Sequence, residues 1–497
     1  MGVATKPITC GPLPNDLAAT MTGTFSTKGH MSMRPKTLLL GLNAALLLST
    51  AVLAADPAAP APAPVVIEEE PLFTLSITGG VTAFGIPDTA PIGVTNDVGT
   101  LNDADLFEGL DSPLYGGTIG IDMSAPINGD GTSVNFSGFG SFVTRDGSQS
   151  RTINEEQYLV VHGPNLPTGQ IDLDTIDLDV DNVGTTTSDW GDATAGVNAG
   201  GGLVTGTSTL LGPGYNVASN ADGFVLSGAQ GDYGTYAFGV VATTEGVIFL
   251  GSGELQGTKI DTDVTQDLAY AGGDITVSQR TTPDDSGVAF TVYGGPSFRY
   301  LGTETTTDTT IQVNQNYFDT VDFQYPTFNM NTVENIDTYY AGAVFGGNVD
   351  IDVWAGAKLS LGLGAGVYYA SSSYDSTTEA SIFGGFGGAG GTVDERVTSN
   401  FDLDPEEGFA YTLKGSSTFS ADISDNMQIN FGLGAEYMSR VATSRFVGED
   451  GAVLTGDGNG VDDADADYND GNATGGTVLA FGDAWSYKAT VGLTGQF

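Results

Sequence analysis

One acidic segment of this 497-residue sequence, residues 456–471, carries oxygen atoms that could bind a metal ion. Its candidate ligands are Asp457, Asn459, Asp463, Asp465 and Asp467. Oxygen ligands at alternating positions suit Ca²⁺, but a calcium loop that began at Asp457 would need glycine where Asp462 stands and glutamate where Tyr468 stands. The segment therefore predicts either a Ca²⁺ site, which would be the only cofactor, or a solvated external loop.

Nucleophilic or acid–base catalysis has little support in this sequence. His162, in the stretch QYLVVHGP, is the only histidine beyond residue 30. A catalytic histidine works with a serine, an aspartate or both, whereas a lone histidine at the end of a strand is more often an interfacial side chain. We therefore expect His162 to be interfacial and the protein not to be an enzyme.

A third group consists of charged residues that alternate with apolar neighbours. Its members are Arg299, Lys358, Lys414, Glu436, Arg440 and Lys488. If the apolar neighbours face lipid, these charges must face inward, because Lys or Arg on the lipid face at mid-depth costs about 2–4 kcal/mol. Two interpretations share this geometry: the charges line an aqueous pore, or they pair with each other and fill the lumen.

The elements that would position these charges are β-strands. Counting back from Phe497 in steps of two gives an apolar row that includes Leu493, Tyr487 and Trp485, while Lys488 lies on the polar row between them. A strand between lipid and water needs this period of two. A final strand of this kind, ending in phenylalanine, resembles the assembly signal of Gram-negative outer-membrane β-barrels, a class that includes porins. The resemblance covers about a dozen residues and identifies no single family within the class. It implies the barrel assembly machinery, outer-membrane lipid and lipopolysaccharide as partners.

Upstream segments repeat the alternation. Residues 409–421 and 427–437 form a hairpin around a turn at 422–426, and residues 339–369 are long enough to require a turn near 353–358. Further candidate strands are residues 72–84, 114–124, 133–145, 155–162, 223–230, 233–243, 246–254 and 286–302. Residues 170–212 and 255–281 fit no clear strand pattern. Because such barrels have even strand numbers, we expect an all-β antiparallel transmembrane barrel of about 12 strands, with 10 to 16 admissible, short periplasmic turns and long acidic external loops.

The N-terminal residues have the layout of an export signal. Residues 31–54 combine a basic start, an apolar stretch and a small-residue cleavage site. We expect residues 1–30, which hold the single cysteine, Cys10, to be a non-native extension. Residues 55–71 are rich in proline and alanine, which predicts an extended periplasmic spacer. Residues 72–497 would then form the barrel in the cell outer membrane.

Charge narrows the functional classes. The chain has 61 acidic and 15 basic residues, a net charge of −46, so it cannot present the basic face that nucleic-acid binding requires. We expect a porin-like barrel that lets small polar solutes or ions diffuse and prefers cations. The alternative is a non-conducting surface barrel whose external loops have structural, adhesive or cation-binding roles. A homo-oligomer is compatible with both.

Overall fold

The computed structural model describes a defined part of the chain. The described residues are 73–87, 110, 113–128, 131–152, 159–165, 177–178, 193–199, 202–208, 215–220, 223–230, 236–253, 258–282, 287–312, 327–385, 392–448, 453–455, 467–469 and 475–497. The expected signal, extension and spacer, residues 1–71, lie outside them. Within the described part, no helix is both long and apolar enough to cross a bilayer.

The described residues form twenty β-strands. These are β1 Thr74–Gly85, β2 Leu114–Asn128, β3 Thr132–Thr152, β4 Leu159–His162, β5 Asp177–Leu178, β6 Ala193–Ala199, β7 Gly202–Ser208, β8 Tyr215–Asn220, β9 Gly223–Gln230, β10 Tyr236–Thr243, β11 Val247–Gly253, β12 Lys259–Arg280, β13 Val288–Gln312, β14 Thr327–Trp354, β15 Ala357–Gly385, β16 Thr392–Ser424, β17 Met427–Gly448, β18 Val453–Thr455, β19 Asp467–Asn469 and β20 Gly475–Gln496.

Ten of the strands form one antiparallel ring, in the order β1-β2-β3-β12-β13-β14-β15-β16-β17-β20. The first strand pairs with both neighbours, since Thr74 lies opposite Ser124 of β2 and opposite Gln496 of β20. The turn expected near residues 353–358 lies between Trp354 and Ala357. The predicted all-β antiparallel class is confirmed, and the ring has ten strands rather than the preferred twelve.

The difference in strand number comes from a second sheet. β4, β8, β9, β10 and β11 form a separate five-stranded sheet in the order β4-β11-β10-β9-β8. It contains the described parts of the segments predicted at 155–162, 223–230, 233–243 and 246–254. These strands have four to eight residues, fewer than the roughly 9–11 that span a bilayer, so they could not have been ring strands.

The segment 255–281, which showed no clear alternation, contains ring strand β12. Its apolar residues change sides along the strand: Leu268 points inward and is 2 % exposed, whereas Ile275 points outward and is 54 % exposed. The change has a physical reason. In the half near Ile275 the outside of the ring meets lipid, and in the other half the outside meets water and the inside is the apolar core. A single alternation therefore cannot run through the strand.

The outer face of the ring carries an apolar belt. Its most exposed side chains include Ile77, Val81, Ile119, Phe136, Ile275, Phe298, Tyr339, Leu363, Phe409, Leu433, Trp485 and Val491. Soluble proteins rarely expose so large a continuous apolar surface, and an apolar band flanked by aromatic residues is the lipid-facing surface of a transmembrane β-sheet.

The two ends of the ring differ in the length of their connections. Two residues link β14 to β15 and β16 to β17 at one end, whereas the connections at the other end include residues 153–258 and 449–474. Because short turns face the periplasm in this class of protein, we name these ends periplasmic and external. The second sheet packs at the external end, where Phe249 of β11 lies 5.9 Å from Phe328 of β14, ring centroid to ring centroid.

Candidate functional site in the ring interior

A layer of buried side chains crosses the interior of the ring, and we call it the interior layer. All ten ring strands contribute to it: Phe84, Leu114, Val143, Leu268, Tyr270, Leu301, Tyr340, Tyr368, Ala370, Ala410, Met438, Val441 and Ala484, with Phe139 packed against them. Each of the thirteen is 4 % exposed or less. The layer lies on the external side of the belt centre, since Tyr340 neighbours Tyr339, and the other exposed apolar residues of β14, Phe345, Val353 and Trp354, lie nearer the periplasmic turn.

Contacts within this region cross the full width of the ring. The hydroxyl of Tyr270 on β12 donates a hydrogen bond of 3.1 Å to Oε1 of Glu436 on β17. These strands are five places apart in a ring of ten, so they lie opposite each other. Nζ of Lys414 on β16 likewise lies 5.8 Å from the ring centroid of Phe139 on the opposite strand β3. The interior is therefore bridged by side chains at this height.

Directly on the periplasmic side of the layer is a buried ion pair. Nη1 and Nη2 of Arg299 bind Oδ1 and Oδ2 of Asp274 at 2.6 and 3.1 Å. Ser297 donates to the same Oδ1 at 2.6 Å and contacts the Tyr368 hydroxyl at 2.9 Å. Arg299 is only 1 % exposed. A bidentate geometry with extra hydrogen bonds is what a buried charge pair requires.

Of the other predicted interior charges, Lys414, Glu436 and Lys488 lie near the ion pair, whereas Lys358 lies apart. Lys488 and Lys414 both reach Phe139, with Nζ 5.9 and 5.8 Å from its ring centroid. Glu436, opposite Lys414 in the strand register, bonds to Tyr270 instead. Lys358 lies beside the periplasmic turn, opposite Asp352. The structure thus brings together Arg299, Lys414, Glu436 and Lys488, and leaves Lys358 apart from them.

Arg440 occupies a separate position, where the ladder between β16 and β17 ends. That ladder runs only up to the pair Thr412–Met438, although both strands continue beyond it. Arg440 has a φ of 57°, its Nη2 donates to the carbonyl of Glu407 at 2.9 Å, and its Cζ lies 3.8 Å from the centroid of Phe481. A Cβ on Gly408 would lie 2.5 Å from that Cζ, so the absent side chain provides the space. Arg440 therefore fastens a seam between the two strands.

Beyond the seam, an acidic side chain is buried in the external half. Glu334 is 3 % exposed and lies five residues past Tyr339, outside the apolar belt. It accepts a hydrogen bond of 2.9 Å from the Tyr374 hydroxyl. Burial raises the pKa of Glu334 to about 7, although its hydrogen bonds with Tyr374 and Ser444 partly oppose the shift. The same burial, together with the Glu334 carboxylate, raises the pKa of Tyr374.

His162 is fully buried rather than interfacial. Its ring lies 3.7 Å from that of Phe446 on β17, centroid to centroid, and Nδ1 is 2.8 Å from the carbonyl of Gly163. The sequence suggested an interfacial residue because His162 ends a strand. That strand belongs to the second sheet, however, so its end meets the ring interior and not the membrane surface.

The four residues of the expected assembly signal, at the C-terminal end of the chain, face outward. Trp485, Tyr487, Leu493 and Phe497 are between 48 % and 61 % exposed. Phe497 stacks on Phe73 with centroids 5.1 Å apart, and the two exchange backbone hydrogen bonds of 3.0 and 3.2 Å. These residues form part of the outer belt and of the β1–β20 junction.

The proposed calcium ligands are not placed by the structure. Of the segment 456–471, only the backbone of β19 belongs to the described residues, so the side chains of Asp457, Asn459, Asp463, Asp465 and Asp467 lie outside them. Within the described part of the chain, no group of three or more His, Cys, Asp or Glu side chains has a metal-binding arrangement.

Sequence reasoning missed three interior residues of this region: Asp274, Asp122 and Tyr270. A signal for Asp274 was present, since GGDITVS places Asp274, Thr276 and Ser278 on one face and Ile275 and Val277 on the other. That alternation covers only the periplasmic half of β12. Near residue 270 the apolar residues change from the outward to the inward face, and this change obscured the pattern.

Comparison with known proteins finds solved structures of similar fold. No protein-family model and no curated protein matches the sequence. Similar solved structures include the outer-membrane protease OmpT of Escherichia coli, with 8 % identity, 86 % of this chain and 96 % of that chain covered, and a TM-score of 0.31. They also include a Pseudomonas aeruginosa FadL homologue (7 %, 86 % and 91 %, 0.18) and an anion-selective porin from Comamonas acidovorans (10 %, 86 % and 99 %, 0.14).

These neighbours are outer-membrane β-barrel proteins. Their TM-scores are below 0.5, so none of their functional properties is assigned to this chain. An antiparallel ring with an apolar outer belt and charged inward side chains is an arrangement that only a bilayer explains. This arrangement is consistent with a location in the cell outer membrane.

Proposed function

We propose that this protein is a non-conducting outer-membrane β-barrel, closed as a ring of ten strands, that supports a structured external domain. The observation that carries the proposal is the hydrogen bond between Tyr270 and Glu436 across the width of the ring, within a buried layer to which every ring strand contributes. An interior of about eight strands is just wide enough to be filled by side chains, and ten strands with inward tyrosines and phenylalanines are close to that size.

The external half extends this role. β12 to β17 continue well past the belt, and the second sheet packs on them through Phe249 and His162. Burial of these aromatic side chains stabilises the sheet against the ring. The barrel thus serves as a rigid base for a folded surface domain, with outer-membrane lipid, lipopolysaccharide and the barrel assembly machinery as its partners. We propose no catalytic role, because the single histidine of the described residues is buried in packing contacts.

Conductance in planar bilayers tests this proposal. The folded wild-type chain should insert without producing steady channels. Tyr270→Ala combined with Tyr340→Ala should produce a measurable leak, because both changes remove large side chains from the interior layer. Tyr339→Ala is the matched control, since Tyr339 is the outward neighbour of Tyr340 and 49 % exposed; this variant should remain silent. A heat-dependent shift in gel mobility verifies that each variant is folded.

A cation-preferring porin is the second candidate, supported by the excess of acidic over basic residues. A negative mouth would concentrate cations at low salt, and the effect would fade as the Debye length shortens to about 3 Å at 1 M. Steady wild-type channels whose zero-current potential in a KCl gradient shows cation preference would support this porin and refute the non-conducting barrel.

A further inference from the structure

The periplasmic half of the ring interior carries many small side chains, and Tyr293 is a large residue among them, with its hydroxyl beside Gly346 and Gly364. Inward positions include Thr78, Gly120, Gly346, Gly362, Gly364, Ser416, Gly432 and Thr490. Ser416, Asp122 and Lys488 remain exposed although they face inward at the level of the membrane. Met438 and Ala484, inward residues of β17 and β20 that lie farther toward the external side, are 2 % exposed. The interior is therefore a vestibule that is open to the periplasm and ends blindly at the interior layer.

Two ammonium groups lie at the blind end of this vestibule. Nζ of Lys414 and Nζ of Lys488 are 5.8 and 5.9 Å from the ring centroid of Phe139. Among the described residues, no carboxylate oxygen lies within 4.0 Å of either nitrogen. The aromatic ring attracts each cation, but it carries no net charge and cannot neutralise them.

The neighbouring carboxylates are largely engaged elsewhere. Asp274 is neutralised by Arg299, which binds it through both Nη atoms. Glu436 accepts a hydrogen bond from the neutral Tyr270 hydroxyl and keeps its charge, but it is only 9 % exposed. Asp122 is the remaining carboxylate that faces the two lysines. The solvent-reachable charge at the blind end is therefore two ammonium groups against one carboxylate.

The backbone favours this convergence of like charges. Lys488 lies opposite Gly434 of β17, and a Cβ on Gly434 would be 2.8 Å from Cε of Lys488. The absence of a side chain at this position lets the lysine stem cross β17 in the direction of β16, the strand of Lys414. Two cations brought together in this way repel each other, and an anion held between them would convert the repulsion into attraction.

We propose that Lys414 and Lys488 form a binding site for a small oxyanion that enters from the periplasm. Ammonium groups bind oxyanions through short charge-assisted hydrogen bonds, and the serine, threonine and glycine lining leaves room for a ligand of this size. The anion site itself stands on the two lysines. Access from the periplasmic side alone rests on the non-conducting barrel proposed above.

Isothermal titration of the folded full chain with inorganic phosphate at constant ionic strength tests the site. Wild-type protein should bind one phosphate per chain, and Lys414→Gln and Lys488→Gln should each weaken binding by about tenfold or more. Lys358→Gln is the matched control, because it removes the same charge from the same lumen but at a different place, beside the periplasmic turn. This variant should bind phosphate as the wild type does. Absence of wild-type binding, or equal weakening in all three variants, would overturn the proposal.

A labelling experiment separates the site from its access route. Cys10 is the only cysteine of the chain, so Cys10→Ser with Lys488→Cys gives a single reporter thiol. A membrane-impermeant thiol reagent should label it only after the outer membrane has been permeabilised. Labelling in intact cells would refute one-sided access and the non-conducting barrel, while the phosphate titration would still decide the oxyanion site.

Discussion

Replacing Glu334 with glutamine should remove a pH dependence of stability that we can calculate from the structure. Glu334 is buried outside the apolar belt, and its pKa is raised from an ordinary 4.5 to about 7. The folded state therefore holds the proton more tightly than the unfolded state does. This contribution to stability is fully present below pH 4.5, decreases as pH rises, and is lost above pH 7.

The magnitude follows from the interval between the two pKa values. At about 1.4 kcal/mol per pH unit, the wild type should lose about 3 kcal/mol of unfolding free energy between pH 4.5 and pH 7 through this residue alone. Glu334→Gln keeps an oxygen that can accept the Tyr374 hydrogen bond but has no proton to lose. The difference between wild type and variant should therefore change by about 3 kcal/mol over this range.

Urea unfolding of the detergent-folded protein at pH 4.5, 6 and 8, monitored by tryptophan fluorescence, measures this difference. Glu379→Gln is the control, since Glu379 is an exposed acidic residue on β15 whose side chain is 55 % accessible; this variant should retain the wild-type pH dependence. If Glu334→Gln and wild type change in parallel over the whole range, Glu334 is not buried as an acid and the reasoning is wrong.

The buried ion pair and the β16–β17 seam provide two further tests. Arg299→Met leaves Asp274 buried without its partner and should lower the unfolding free energy by about 3–5 kcal/mol in the same urea assay. The added change Asp274→Asn should restore part of that loss. Equal stability of the single variant and the wild type would contradict the pairing. Arg440→Ala removes the contacts across the seam, so amide hydrogens of β16 between Thr392 and Ala410 should exchange about tenfold faster in mass spectrometry. Arg396→Ala, which changes an exposed arginine of the same strand, should leave the exchange unchanged, and no difference between the two variants would show that Arg440 does not hold the seam.

The membrane half of the fold could be predicted from the sequence because lipid imposes a local rule. Every second residue must be apolar, so the outward position of Tyr437 and the inward position of Glu436 follow from a dozen neighbouring residues. The turn between Trp354 and Ala357 followed in the same way, since a bilayer limits how long one spanning strand can be.

The site could be predicted only in part, because its contacts depend on register between distant strands. Glu436 meets Tyr270, 166 residues away, and no local pattern relates the two. Lys414 and Glu436 are direct neighbours across the ladder, which suggests an ion pair, yet the glutamate turns to the opposite strand. The external half was also missed. There the outside of the ring meets water and the inside is an apolar core, so the apolar residues occupy the inward positions and not the outward ones.

The location of the negative charge bears on the choice between a pore and a non-conducting barrel. Above the belt, Asp267, Glu304, Asp375 and Asp402 lie on strands β12, β13, β15 and β16, and the register sets Asp267 opposite Glu304 and Asp375 opposite Asp402. All four point outward, away from the interior. At physiological salt the field of an exposed charge decays over about 8 Å, so these residues act on the outer surface and barely on the lumen. These four carboxylates thus belong to a solvated outer surface and do not favour a cation-selective pore, and the size of the inward side chains decides whether anything passes.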